Sequence, residues 1–160
     1  MIYRSTDLGM TWSSFAEGLP ADATLSGIKQ AGKILYVSTD DHGIFLWEEA
    51  QASWQPLPTD QLAELDINCL EVDQNQLVIG TLRNGILVSD DAGKNWRQAS
   101  IDLENVPIRA FIRFQGKLYA GTDSGIFLSL DMGKTWSHGY GPRRTIPWAR
   151  RSGRLWWPSP

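Results

Sequence analysis

A chain of 160 residues with 42% hydrophobic composition and a formal charge of −3 can bury a core and has about the length of one domain. No apolar run approaches the roughly 20 residues of a membrane-spanning helix, and Met1–Gly9 has no hydrophobic signal core. The mild acidity argues against a nucleic-acid partner, whose phosphates call for clustered Lys and Arg, so neither nucleic acid nor membrane is expected as a partner, and no compartment follows. The single cysteine, Cys69, excludes an internal disulfide and a thiolate zinc site; within I-N-C-L-E-V it reads as a small buried hydrophobe.

In chain order, the first signal is the octapeptide Ser5–Trp12, S-T-D-L-G-M-T-W, with short flanking segments that read as two strands. Leu25 to Lys29 is the next strand. It is followed by Leu35 to Thr39, by a polar turn, and by Gly43 to Leu46, all rich in β-formers. Trp47 to Trp54, W-E-E-A-Q-A-S-W, occupies the place of the octapeptide, but Glu49 replaces the aspartate and Gln51 the glycine, so this turn has to be built differently. Thr59 to Leu65 is the one segment suited to a helical turn.

The same order then returns. Ile67 to Val72, Leu77 to Thr81 and Gly85 to Val88 lead to S-D-D-A-G-K-N-W at Ser89–Trp96; Ile108 to Phe114, Leu118 to Thr122 and Gly125 to Leu128 lead to S-L-D-M-G-K-T-W at Ser129–Trp136. Asn84-Gly85 marks a hairpin strongly and Ser124-Gly125 more weakly. The tryptophans Trp12, Trp54, Trp96 and Trp136 stand 42, 42 and 40 residues apart, a spacing that fits one four-stranded propeller blade per unit.

In each octapeptide the aspartate (Asp7, Asp91, Asp131) can turn its carboxylate onto nearby backbone N–H groups. The glycine two residues on (Gly9, Gly93, Gly133) tolerates positive φ, and the tryptophan anchors the next strand. The pattern S-x-D-x-G-x-T-W resembles the Asp-box, or bacterial neuraminidase repeat, of sialidases, sortilin-type receptors and photosystem II assembly factors. The resemblance implies an all-β fold: an incomplete β-propeller arc of four-stranded antiparallel blades. Residues 1–140 would hold a partial first blade and about three blades, and residues 141–160 a degraded partial repeat or disordered tail. It also implies a structural role for Ser5, Asp7, Gly9, Trp12, Ser89, Asp91, Gly93, Trp96, Ser129, Asp131, Gly133 and Trp136, on the rim away from any ligand.

The opposite rim carries the candidate ligand-binding residues: Asp40, His42, Arg83 and Asp123 on the turns between second and third strands, with Arg109 entering an inner strand. Turn chemistry alone also selects such residues. A sialidase would need an arginine triad, a Tyr–Glu nucleophile pair and an acid Asp; Arg83, Arg109 and Arg113 carry no motif for the triad, and Arg144-Thr145-Ile146-Pro147 is a loose echo of the R-I-P signature. No phosphate loop, nucleophile elbow or metal-ligand spacing is present, so no catalytic residue, no metal and no cofactor is expected. The expected function is a non-catalytic binding or scaffold module from a larger protein, with an unidentified protein or glycan ligand. The alternative is a piece of a sialidase-like glycoside hydrolase. Fewer than four units leave blade edges open, so self-association is expected, and the resemblance allows an extracytoplasmic parent protein.

Overall fold

The computed structural model describes residues 1–99 and 103–139. Its strands follow the chain in antiparallel meanders. A two-stranded hairpin, β1 (Tyr3–Arg4) with β2 (Ser13–Ser14), comes first. The first blade is β3 (Leu25–Ala31), β4 (Ile34–Thr39), β5 (Ile44–Glu48) and β6 (Ser53–Pro56). The second is β7 (Ile67–Asp73), β8 (Gln76–Thr81), β9 (Ile86–Ser89) and β10 (Arg97–Gln98); the third is β11 (Ile108–Phe114), β12 (Lys117–Thr122), β13 (Gly125–Ser129) and β14 (Ser137–His138). The first strands β3, β7 and β11 lie side by side at the inside of an unclosed arc. No α-helix occurs among the described residues; the Thr59 to Leu65 segment makes two i to i+3 turn bonds, Ala63 N–H to Asp60 and Leu65 N–H to Leu62, and stops there.

The architecture is an incomplete β-propeller: the sheets stack face to face, and the core lies between them. Strands buried on both faces read as continuous apolar runs, and Leu77, Val78 and Ile79 of β8 show why, since consecutive residues enter opposite cores. The leading face of the first blade (Tyr36, Ile44, Leu46) packs on the trailing face of the second (Leu70, Leu77, Ile79, Trp96). The leading face of the second (Cys69, Val78, Ile86, Val88) packs on the third (Phe111, Leu118, Ala120, Phe127, Trp136). Phe15 joins Trp54 and Trp47 in a smaller aromatic cluster between the hairpin and the first blade. Each inner strand carries a β-bulge one residue after its start, at Ser26, Asn68 and Arg109.

The four repeat tryptophans are not equally buried. Trp54 is 1% and Trp96 7% exposed, Trp136 is intermediate, and Trp12 is 63% exposed. A tryptophan at this position is buried by the preceding blade, and no described residue lies on that side of Trp12. The residues at 140–160, including the whole degraded repeat of the sequence reading, fall outside the described residues.

Candidate functional site

The three octapeptides fold identically. In the second, Ser89 Oγ donates to Asp91 Oδ1 (2.8 Å) and accepts from Gly93 N–H (2.8 Å), while Asp91 accepts from Asn95 N–H (2.9 Å) and Asn95 Nδ2 (2.7 Å). Ser5 and Asp7 with Thr11 repeat it, as do Ser129 and Asp131 with Thr135. Both residues at the tip have positive φ, 61° at Ala92 and 88° at Gly93, and the indole of Trp96 donates to Gly93 O at 2.9 Å. The aspartate reaches the backbone as its chemistry suggests, yet the serine is the hub, joining carboxylate and glycine.

The degenerate turn between β5 and β6 lacks this network. Glu49 accepts from the indole of Trp47 (2.7 Å), and Trp54 donates its indole N–H to Phe15 O (2.7 Å) and its backbone N–H to Glu17 O (2.8 Å). Trp54 is thereby tied to the preceding element and not to its own turn. Ser89→Ala leaves a buried N–H at Gly93 without its partner and is expected to cost about 1–3 kcal/mol, whereas Glu49→Ala, at an exposed site, should cost under about 0.5 kcal/mol. Urea melts of both variants check the order, and a larger loss for Glu49→Ala would overturn this account of the turn.

These carboxylates are unsuited to acid catalysis. The Asn95 side chain and backbone hold Asp91 at about 2, and Thr11 does the same for Asp7. For Asp131 burial pushes upward, but the bonds from Thr135, Ser129 and the Lys134 backbone together outweigh it and the pKa is lowered. A general acid needs the opposite shift, toward the working pH.

On the opposite rim, each turn between second and third strands is fixed from within. Thr39 Oγ1 donates to Gly43 O (2.9 Å) and accepts from His42 N–H (3.0 Å). Thr81 repeats this with Gly85 and Asn84, and Thr122 with Gly125 and Ser124. Within Asn84-Gly85 only Gly85 has positive φ (66°), so the hairpin has a three-residue loop closed by a left-handed glycine, not the two-residue turn usual for that dipeptide.

The candidate rim residues are paired within their own neighbourhoods. His42 Nδ1 lies 2.6 Å from Asp41 and its Nε2 3.5 Å from Asp22; Arg83 Nε meets Asp66 at 3.2 Å; Arg109 grips Asp123 with two bonds of 3.0 and 2.8 Å. That last pair holds the Asp123 pKa below and the Arg109 pKa above their ordinary values. Asp40 serves through its backbone, bonding Thr24 O and Ile67 N–H. The three arginines do not converge: Arg83 and Arg109 are held by separate carboxylates, and Arg113, at the far end of β11, pairs with Asp73 at 2.5 Å. Arg144 to Pro147 lies outside the described residues.

A cavity of about 310 Å³ opens beside His42, lined by Ile44, Leu57, Thr59, Asp60 and Leu62 among others. Its walls offer two titratable side chains, His42 and Asp60, and no cluster of three metal-ligating groups occurs among the described residues. Cys69 is buried, and desolvation pushes its thiol up to about 12, which leaves it inert.

The sequence reading missed the bonds between blades. Lys29 pairs with Glu71 (2.7 Å), Asp73 with Arg113, and Asn68 Nδ2 donates to Ile108 O (2.8 Å). The separations are 42, 40 and 40 residues, which is the repeat period itself, so complementary residues one period apart were the available signal.

No protein-family model matches the chain, and no curated protein matches it. Solved structures do. YCF48 bound to D1 peptide aligns with a TM-score of 0.56 and 19% identity over 76% of this chain and 41% of that one. An ancestral GH74 enzyme aligns with a TM-score of 0.67 and 16% identity over 88% of this chain and 21% of that one. The extracellular domain of BT4673 from B. thetaiotaomicron aligns with a TM-score of 0.60 and 22% identity over 85% and 19%. The chain thus spans between about a fifth and two fifths of these structures, and its similarity to them is one of propeller fold.

Proposed function

We propose that the chain belongs to the Asp-box propellers and forms part of a non-catalytic binding module whose ligand is a charged peptide segment of another protein. The observation that carries this reading is the composition of the rim. Thr-locked turns present His42, Arg83, Asn84 and Asp123 with Arg109 alongside, and the turns carry no Trp, Tyr or Phe on which a sugar ring could stack. Mixed charges on rigid turns suit a peptide. Catalysis is disfavoured because the arginines are separately paired and the box aspartates are held ionised. YCF48 bound to D1 peptide is among the similar folds and supports the choice of ligand class.

Labelled full chain is applied to an array of charged peptides and to a glycan array, with a fluorogenic sialoside assay in parallel. Retention on peptides, weakened at least about tenfold by Arg83→Ala or Arg109→Ala, is the expected result. Retention on glycans alone would overturn the ligand class. Sialoside turnover that disappears in Arg109→Ala would overturn the non-catalytic reading and favour a sialidase-like hydrolase.

A further inference from the structure

The two ends of the arc expose faces whose residues can be compared, position by position, with the buried faces inside it. On the leading face of the second blade, Val78, Ile86 and Val88 are buried against the third blade. The positions on the third blade's own leading face are Tyr119, Ile126 and Leu128, as the strand registers show; Ile126 is 48% exposed, Tyr119 and Leu128 are half-buried, and none of the three joins a core between described blades. On the trailing side, Phe127 and Trp136 of the third blade enter the core that Val78 lines. Their counterparts in the first hairpin, counted from the octapeptide, are Tyr3 and Trp12, both more than half exposed.

The charges give an independent comparison. Across the junction between the second and third blades, two acids of the second meet cations of the third: Asp73 meets Arg113, and Asp90 meets Lys134 of the next octapeptide at 3.1 Å. At the same two positions of the third blade stand Phe114 and Leu130, each more than half exposed. The octapeptide position of Lys134 is filled in the first hairpin by Met10, which is 86% exposed. The last face has exchanged its acids for apolar groups, and the first face has exchanged the matching cation for one.

We infer that two copies of this chain associate head to tail, the leading face of the third blade in one copy packing on the first hairpin of the other. Leu130 then meets the partner copy's Met10 where Asp90 meets Lys134 inside the arc. Tyr119, Ile126 and Leu128 receive Tyr3 and Trp12 as Val78, Ile86 and Val88 receive Phe127 and Trp136. The contact is heterologous, so it repeats until it closes. Two arcs bring together six four-stranded and two two-stranded sheets, eight blade positions, which lies within the range of closed propellers.

Light scattering and sedimentation on the full chain at micromolar concentration are expected to give a dimer, or a larger species if the ring does not close at two. Leu130→Asp and Met10→Lys should each weaken association about tenfold or more, because each sets one charge against an apolar surface. Their side chains lie outside the octapeptide bonds, so circular dichroism should be unchanged. Leu130→Asp with Met10→Lys in one chain rebuilds the interior ion pair and should restore association, now sensitive to salt. Mixing the two single variants should also restore a dimer, with one junction holding the rebuilt ion pair and the other the unmodified Leu130–Met10 contact, which face-to-face pairing of like surfaces would not do. A monodisperse monomer of the unmodified chain, or a dimer indifferent to both substitutions, would overturn the inference.

Discussion

Trp54→Ala is expected to lower the free energy of unfolding by about 3–5 kcal/mol, the range for truncating a buried large aromatic. Trp12→Ala should cost under about 1 kcal/mol when both are measured in the Leu130→Asp background, which keeps copies apart. The two residues stand at the same position of the repeat and differ in what lies against them. Trp54 is enclosed by Phe15 and Trp47, with ring centroids 5.4 and 5.5 Å away, and its indole and backbone N–H groups bond Phe15 and Glu17. Its removal opens a cavity and leaves the Phe15 carbonyl without its donor, while the backbone bond to Glu17 O remains. Trp12 retains one bond, from its indole to Gly9 O at 3.1 Å, and little packing. Denaturant melts followed by far-ultraviolet dichroism give both values. Equal losses would show that the octapeptide alone, without a preceding blade, sets the worth of its tryptophan.

Gly85→Ala should destabilise by about 2–5 kcal/mol, combining a left-handed backbone penalty of about 1–2 kcal/mol with the displacement of a neighbouring carbonyl. Gly85 has φ of 66°, and a Cβ there would stand 2.1 Å from Leu103 O and 2.8 Å from Leu103 C. That contact is with backbone, so no side-chain rotation relieves it. Gly116 has nearly the same φ, 72°, with nothing within 4 Å of its would-be Cβ. Gly116→Ala therefore isolates the backbone penalty, and a calorimetric comparison of the two variants separates conformation from crowding. If Gly116→Ala proves the worse, the close approach of the 103 loop to the rim turn is not what constrains position 85.

The strands and their order were legible because one-dimensional signals suffice for them. Apolar runs of strand length, octapeptides at a near-constant period, and glycines at the turns define a blade without reference to any other blade. Ile108–Phe114 coincides with its predicted bounds, and the other inner strands run one or two residues longer. The third dimension was less legible. Nothing in S-T-D-L-G-M-T-W separates a buried Trp12 from an exposed one, because the burying atoms belong to the preceding blade. The serine of the octapeptide and Thr39, Thr81 and Thr122 went unremarked as hubs, since a hydroxyl signals nothing by composition and becomes visible once its two partners are placed. The rim charges were read one by one. Their pairing with Asp22, Asp66 and Asp123 depends on which turns sit beside which inner strands.

The buried threonines at the ends of the second strands have an evolutionary consequence. Each fixes its turn by bonding main-chain atoms, and Thr39 and Thr81 are wholly shielded from solvent. The side chains at 40–42, 82–84 and 123–124 therefore contribute little to the shape of the loops that carry them. Asp-Asp-His, Leu-Arg-Asn and Asp-Ser already occupy these turns in three neighbouring blades, on an unchanged hydroxyl clamp. Such a rim can diversify its outward chemistry by point substitution without renegotiating the backbone. It can also accept short foreign sequences between the threonine and the glycine, as an interchangeable set of fingertips on one hand.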